Sequence, residues 1–197
     1  MTLVRHITRP HHVEAILKSG ELLQELCHSG TANLHYWDKQ LQKAQGGRLL
    51  WFTEEGFASN SQQPGVEHRA FHFDAENTPG LYRWEYVRLA GMNKGKKEEA
   101  AILNMEITAK AHGDNPMKWW VAKKPVSLKH CINLDNLELC VGRTDLTANQ
   151  IVANTKQLVS QVTNPTLKQV YEQQGGLNEA GLLNYLNTLG YRIEEEA

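Results

Sequence analysis

The stretch Arg48 to Phe57, RLLWFTEEGF, packs an apolar run, a threonine and two carboxylates into ten residues. Gly46 and Gly47 punctuate the chain just before it, and Leu49 to Thr53 reads as a buried strand that ends in Thr53, Glu54 and Glu55. The opening segment LVRHIT, Leu3 to Thr8, ends in polar residues in the same way. The two are expected to be neighbouring strands whose polar ends face one cleft. Everything else in the chain is placed around that pair.

After LVRHIT, Pro10 stands where a first helical turn tolerates proline, since the missing N–H would be unpaired there anyway. Val13, Ile16 and Leu17 follow at helical spacing, and Gly20 stands where a left-handed C-terminal cap belongs. Between Glu21 and Gln45 the pattern gives no single element, although Tyr36 and Trp37 are expected to pack back onto the core. Phe57 to Glu67 has the composition of an exposed loop, and Arg69 to Asp74, RAFHFD, reads as a strand. Leu81 to Leu89 carries the β-favouring residues Tyr82, Trp84, Tyr86 and Val87, with a helix as the alternative. Leu103, Ile107 and Ala111 recur at helical spacing before Gly113, and His130 to Val141 reads as a last strand region, broken at Asp135 and Asn136. Composition shifts near Arg143. Thr147 and Gln150 fit a capping box, and Ile151, Leu158 and Val162 continue a helical stripe. Two more short helices, around Leu167 to Tyr171 and Leu182 to Leu189, complete a tail closed by an extended Tyr191 to Ile193. The domains expected are residues 1–143 and a helical unit over 144–197.

Composition excludes several classes. With 41% hydrophobic and 22% charged residues the chain has the make-up of a globular protein. A formal charge of −1 gives no global attraction to nucleic acid or anionic membrane. From Asp145 onward three basic residues meet six acidic ones, a balance of −3 that lacks the phosphate-binding footprint of a DNA-binding helix unit. The three cysteines, Cys27, Cys131 and Cys140, form no CxxC pair, which argues against a disulfide framework and a structural zinc site. No apolar run approaches a membrane span and no secretory leader is legible, so a cytoplasmic protein without membrane contact is expected.

No phosphate-binding loop, dinucleotide fingerprint, zincin or nucleophile-elbow motif is present. All nine histidines precede residue 131, and the pair His68 and His72 would share a face at spacing four only on a helix, whereas RAFHFD reads as strand. No metal site is expected. Glu54 and Glu55 are candidates for acid–base work, with a solvated loop start as the plain alternative. Trp119 and Trp120 beside Lys118, Lys123 and Lys124 are read either as a stacking platform or, more plainly, as core under a lid.

LVRHIT, the helix end ILKSGEL and the strand LLWFTEE together resemble the start of the ADP-ribosyltransferase fold, in the branch of RNA 2'-phosphotransferases and DarT-type toxins. The matching positions are His6 and Thr8, then Gly20 and Leu22, then Trp51 or Phe52 with Thr53. The stretch to Val141 also resembles a group of bacterial and phage proteins without an established activity, through WFT, Trp84 with Gly91, and Gly113 to Trp119. The resemblance implies an α+β split sheet with flanking helices that binds NAD. In it His6 contacts the adenosine-side ribose, the aromatic packs on nicotinamide, and a late glutamate offsets charge on the ribosyl cation. The chain departs from the pattern at that glutamate, because CINLDNLEL offers only Glu138 and Glu106 falls in a helical stretch. The catalytic candidates are thus His6, Glu54 and Glu138, and the cofactor-binding candidates Arg5, His6, Thr8, Trp51, Phe52 and Thr53. The expected function is NAD-dependent transfer to a nucleic-acid or protein acceptor. The alternative is a phage or bacterial protein that binds a host macromolecule without catalysis. A third reading is a nucleic-acid-processing protein that uses His6 and a carboxylate as acid and base.

Overall fold

Alternation in LVRHIT sends Val4 and His6 to one side of a strand and Arg5 and Ile7 to the other, and the computed structural model builds the protein around that strand. The structure describes residues 1–23, 35–54, 63–173 and 177–194, with the side chains of 35–39 and 173 left aside. Strand β1 (Leu3–Thr8) leads into helix α1 (Pro10–Ser19), which stops at Gly20 in the left-handed conformation, φ 71°. Strand β2 (Glu21–Leu22), helix α2 (His35–Gln45), β3 (Leu50–Thr53), β4 (Glu67–Asp74) and β5 (Leu81–Arg83) follow. Helices α3 (Trp84–Met92) and α4 (Lys96–Ala111) precede β6 (Trp119–Ala122), β7 (Val126–Ser127) and β8 (Glu138–Val141). The chain continues through α5 (Ala148–Ser160), α6 (Pro165–Gln173) and α7 (Glu179–Thr188).

The fold is α+β. Six strands form one antiparallel sheet in the order β5-β6-β3-β1-β4-β8, and β2 with β7 forms a separate two-stranded ribbon. The opening pair are neighbours, with Arg5 opposite Thr53. Their antiparallel pairing corrects one expectation: Thr8 and the Thr53–Glu54 end lie at opposite ends of the sheet, so the two polar ends do not meet in one cleft.

The sheet has two packed faces. On the first, Val4, Leu50, Phe52, Phe71, Phe73 and Trp120 join Ile16 of α1, Leu22 of β2 and Val126 of β7. On the second, Trp51, Trp119 and Val121 pack against α2, α3, α4 and Leu167 of α6. The tail has a core of its own, in which Ile151, Val152, Leu186 and Tyr191 close on Ala111 at the end of α4.

Some elements differ from their sequence reading. Leu81 to Leu89 divides into a three-residue strand and then a helix, since Trp84, Val87 and Gly91 bury one helical side. The last strand shrinks to Glu138–Val141, because Leu128–His130 forms a 3-10 turn and Asn136 N–H closes a turn on the Asn133 carbonyl at 3.0 Å. Tyr191 to Ile193 pairs in no strand, although the Arg192 carbonyl caps the start of α5 by accepting from Ala148 N–H at 2.8 Å. The capping box at Thr147 forms in both halves, Gln150 N–H to Thr147 Oγ1 at 3.2 Å and Thr147 N–H to Gln150 Oε1 at 3.0 Å. Most of the loop read at Phe57 to Glu67, Glu55, Cys27 and the packing of Tyr36 and Trp37 lie outside the described residues.

Candidate functional site

Sheet pairing aligns a row of side chains on the first face. Arg83 lies opposite Trp120, Trp120 opposite Phe52, and His6 opposite Phe71. The Arg5–Thr53 register puts His6 beside Phe52, their rings 5.5 Å apart. The row therefore runs Arg83, Trp120, Phe52, His6, Phe71 across five adjacent strands.

His6 is 7% exposed, and its Nδ1 lies 3.0 Å from the Trp51 carbonyl oxygen. A carbonyl only accepts, so Nδ1 carries the proton and Nε2 keeps its lone pair. Burial pushes the His6 pKa below its ordinary value, against the opposing pull of the Trp51 hydrogen bond, and so favours that neutral ring.

Glu54 shares this face, one step beyond Phe52. Its Oε1 accepts from Trp120 Nε1 at 2.7 Å and from Arg83 NH1 at 3.3 Å, while Oε2 accepts from Lys118 Nζ at 3.4 Å. The Arg83 guanidinium sits 4.7 Å over the Trp120 ring. Three donors from β5, β6 and the turn before β6 thus aim one carboxylate, whose side chain is 15% exposed.

The other candidates divide between the faces. Thr8 lies on the first face at the far end of β1, opposite Arg69. Phe52, fully buried, edges onto Phe73 at 5.6 Å and floors the row. Trp51 points the other way and is held by Trp84 and Trp119 at 5.0 and 5.4 Å. Trp119 and Trp120 are themselves buried at 5% and 7%. Arg5, Thr53 and Glu138 all belong to the second face. There Glu138 Oε2 accepts from Arg5 Nε at 3.0 Å and from His72 Nε2 at 2.5 Å. Burial works to raise the Glu138 pKa, but the His72 and Arg5 contacts outweigh it and hold the carboxyl below its ordinary range. Glu106 is committed elsewhere, to Trp84 Nε1 at 2.9 Å and Arg88 Nε at 2.6 Å.

The structure therefore unites His6 with Glu54 on one face and Arg5 with Glu138 on the other. Sequence reasoning missed Arg83 as a partner of Glu54 and His72 as a partner of Glu138. No local signal exposes either pair, because their members are 29 and 66 residues apart. Among the described residues no three His, Cys, Asp or Glu side chains are grouped to hold a metal ion, and no helix is long and apolar enough to cross a membrane. Cys131 and Cys140 are free thiols, and burial pushes both pKa values up. Compared with protein-family models, curated proteins and solved structures, the chain matches none of them.

Proposed function

We propose that this chain is an ADP-ribosyltransferase-like protein that binds NAD, or a related nucleotide, at the end of the first sheet face where Arg83 and Lys118 are exposed beside Glu54, with His6 and Glu54 as the working pair. The observation that carries this reading is the Trp120 Nε1 to Glu54 Oε1 hydrogen bond, 2.7 Å, which fixes a carboxylate on the same face as a histidine of set tautomer. The groups present suit the ligand's chemistry. His6 Nε2 would accept a ribose hydroxyl. Arg83 and Lys118 supply positive charge for a pyrophosphate. When bound, NAD supplies a glycosidic bond whose loss leaves positive charge on the ribose. Glu54, preorganised by three donors, would offset that charge without reorienting. In this reading Glu54 takes the part that the family pattern gives to a late glutamate, and Glu138 takes none in it.

A second reading, a macromolecule-binding protein without catalysis, draws on the exposed Tyr82, Tyr86 and Met117 near Arg83 and Lys118.

Calorimetric titration with NAD and chromatographic assay of nicotinamide test the two together. Binding with nicotinamide release is expected. His6→Gln, close in size, should weaken binding by about tenfold. Glu54→Gln should keep binding and lose release by on the order of a hundredfold. Neither heat nor nicotinamide at millimolar NAD would overturn the first reading and leave the second.

A further inference from the structure

On the second face, pairing sets Arg5 of β1 directly opposite His72 of β4, and Glu138 of β8 opposite Ala70, one step along on the same side. The three strands are already joined by their backbone ladders, so the side-chain cluster is not needed to hold them together. Part of its hydrogen-bonding capacity faces solvent rather than other protein groups. A guanidinium has five N–H donors; Arg5 uses Nε on Glu138 and one NH1 hydrogen on the Glu54 carbonyl, at 3.0 and 3.5 Å, which leaves three among the described residues. His72 Nε2 lies 2.5 Å from Glu138 Oε2, and His72 Nδ1 and the second Glu138 oxygen are both unengaged among the described residues. Solvent reaches all three side chains, which are 23%, 18% and 39% exposed in the order Arg5, His72, Glu138.

Unspent donors on a fork-shaped cation call for an oxyanion. The unspent Glu138 oxygen beside them calls for a hydroxyl, and its carboxylate repels an anion that brings none. We propose that Arg5, His72 and Glu138 form a second ligand site, on the sheet face opposite His6, for a small molecule that carries an oxyanion next to hydroxyl groups, the phosphorylated-sugar class. Arg5 holds the oxyanion, Glu138 accepts from a hydroxyl, and His72 Nδ1 makes the third polar contact. The site does not depend on the NAD reading, since none of its side chains lies on that face.

The test follows the His72 ring signals by NMR as the whole chain is titrated with ribose 5-phosphate, inorganic phosphate and ribose in turn. A saturable shift is expected with ribose 5-phosphate, about tenfold tighter than with either fragment. Arg5→Lys keeps the charge but removes the fork, and should weaken binding about tenfold while circular dichroism stays unchanged. Glu138→Gln should bind inorganic phosphate more tightly and lose the preference for the sugar phosphate. The proposal is overturned if no shift saturates, if phosphate alone binds as well as ribose 5-phosphate, or if Arg5→Lys binds like the parent chain.

Discussion

Glu106 is 3% exposed, yet both donors it meets, the Trp84 indole and the Arg88 guanidinium, are spaced along a different helix. Its removal leaves an indole N–H buried and unpaired, whereas Arg88, a quarter exposed, can turn toward water. Glu106→Ala is therefore expected to lower stability by on the order of 2–3 kcal/mol, read from the urea midpoint. His6, His68 and His112 share a second property: burial pushes each pKa below the ordinary histidine value of 6.5. The unfolded chain then binds more protons than the native one as pH drops through 6.5, so stability falls with pH there and is level above it. Glu138, held below its ordinary 4.5, works in another window, because its stabilisation persists above 4.5 and fades only as pH falls through its folded value. The melting temperature should drop between roughly pH 7.5 and 5.5, with a shallower slope in His6→Gln. An equal slope in the variant would remove His6 from that account.

Among the elements, α2, α3 and α4 meet closely enough that one position admits only hydrogen. A Cβ on Gly91 would stand 2.7 Å from Ile102 Cδ1 and 2.9 Å from the Ala44 carbonyl oxygen. The isoleucine tip can shift, but the backbone oxygen of α2 cannot. Gly91→Ala should cost about 1–3 kcal/mol despite the better helix propensity of alanine, measured by chemical denaturation. A neutral or stabilising result would mean the three helices slide apart freely. The same packing explains which residues two helical stretches bury. Tyr82, Trp84, Tyr86 and Val87 favour strand by type, but only the helix from Trp84 puts Trp84, Val87 and Gly91 on one buried side. In α4 the stripe of Leu103, Ile107 and Ala111 runs from half-buried positions at the edge of that core to a fully buried one against the tail, while Ala100, Ala101, Ile102, Glu106 and Ala109 also face inward. Close approach between helices selects small residues, so a search for large apolar ones at helical spacing finds the helix and only part of its buried side.

At the scale of the molecule, the tail is bound to α4 at several points. Leu167 of α6 is fully buried in the core under the sheet. Asn164 Nδ2 donates to Glu99 Oε2 at 2.7 Å, Tyr171 Oη to Asn104 Oδ1 at 2.8 Å, and Asn154 Nδ2 to the Ala111 carbonyl at 3.1 Å. Burial pushes the Tyr171 pKa up to about 12. A chain ended at Arg143 uncovers this side of α4, and its melting temperature should fall by at least on the order of 10 °C, followed by circular dichroism. An unchanged transition would make the tail an independent appendage.

What the sequence determined by itself is local. The short apolar runs in LVRHIT and LLWFT wrote two strands, Pro10 and Gly20 bounded a helix, and Thr147 with Gln150 started another, because each signal acts within a few residues. The α+β class follows from such pieces. Only the tertiary structure decided which side chains meet. The antiparallel register turned the polar ends of β1 and β3 apart, put His6 and Glu54 on one face, and sent Arg5 across 133 residues to Glu138 on the other. A one-residue change of register would exchange the two faces, and pairings that long-range carry no trace in the spacing of residues along the chain.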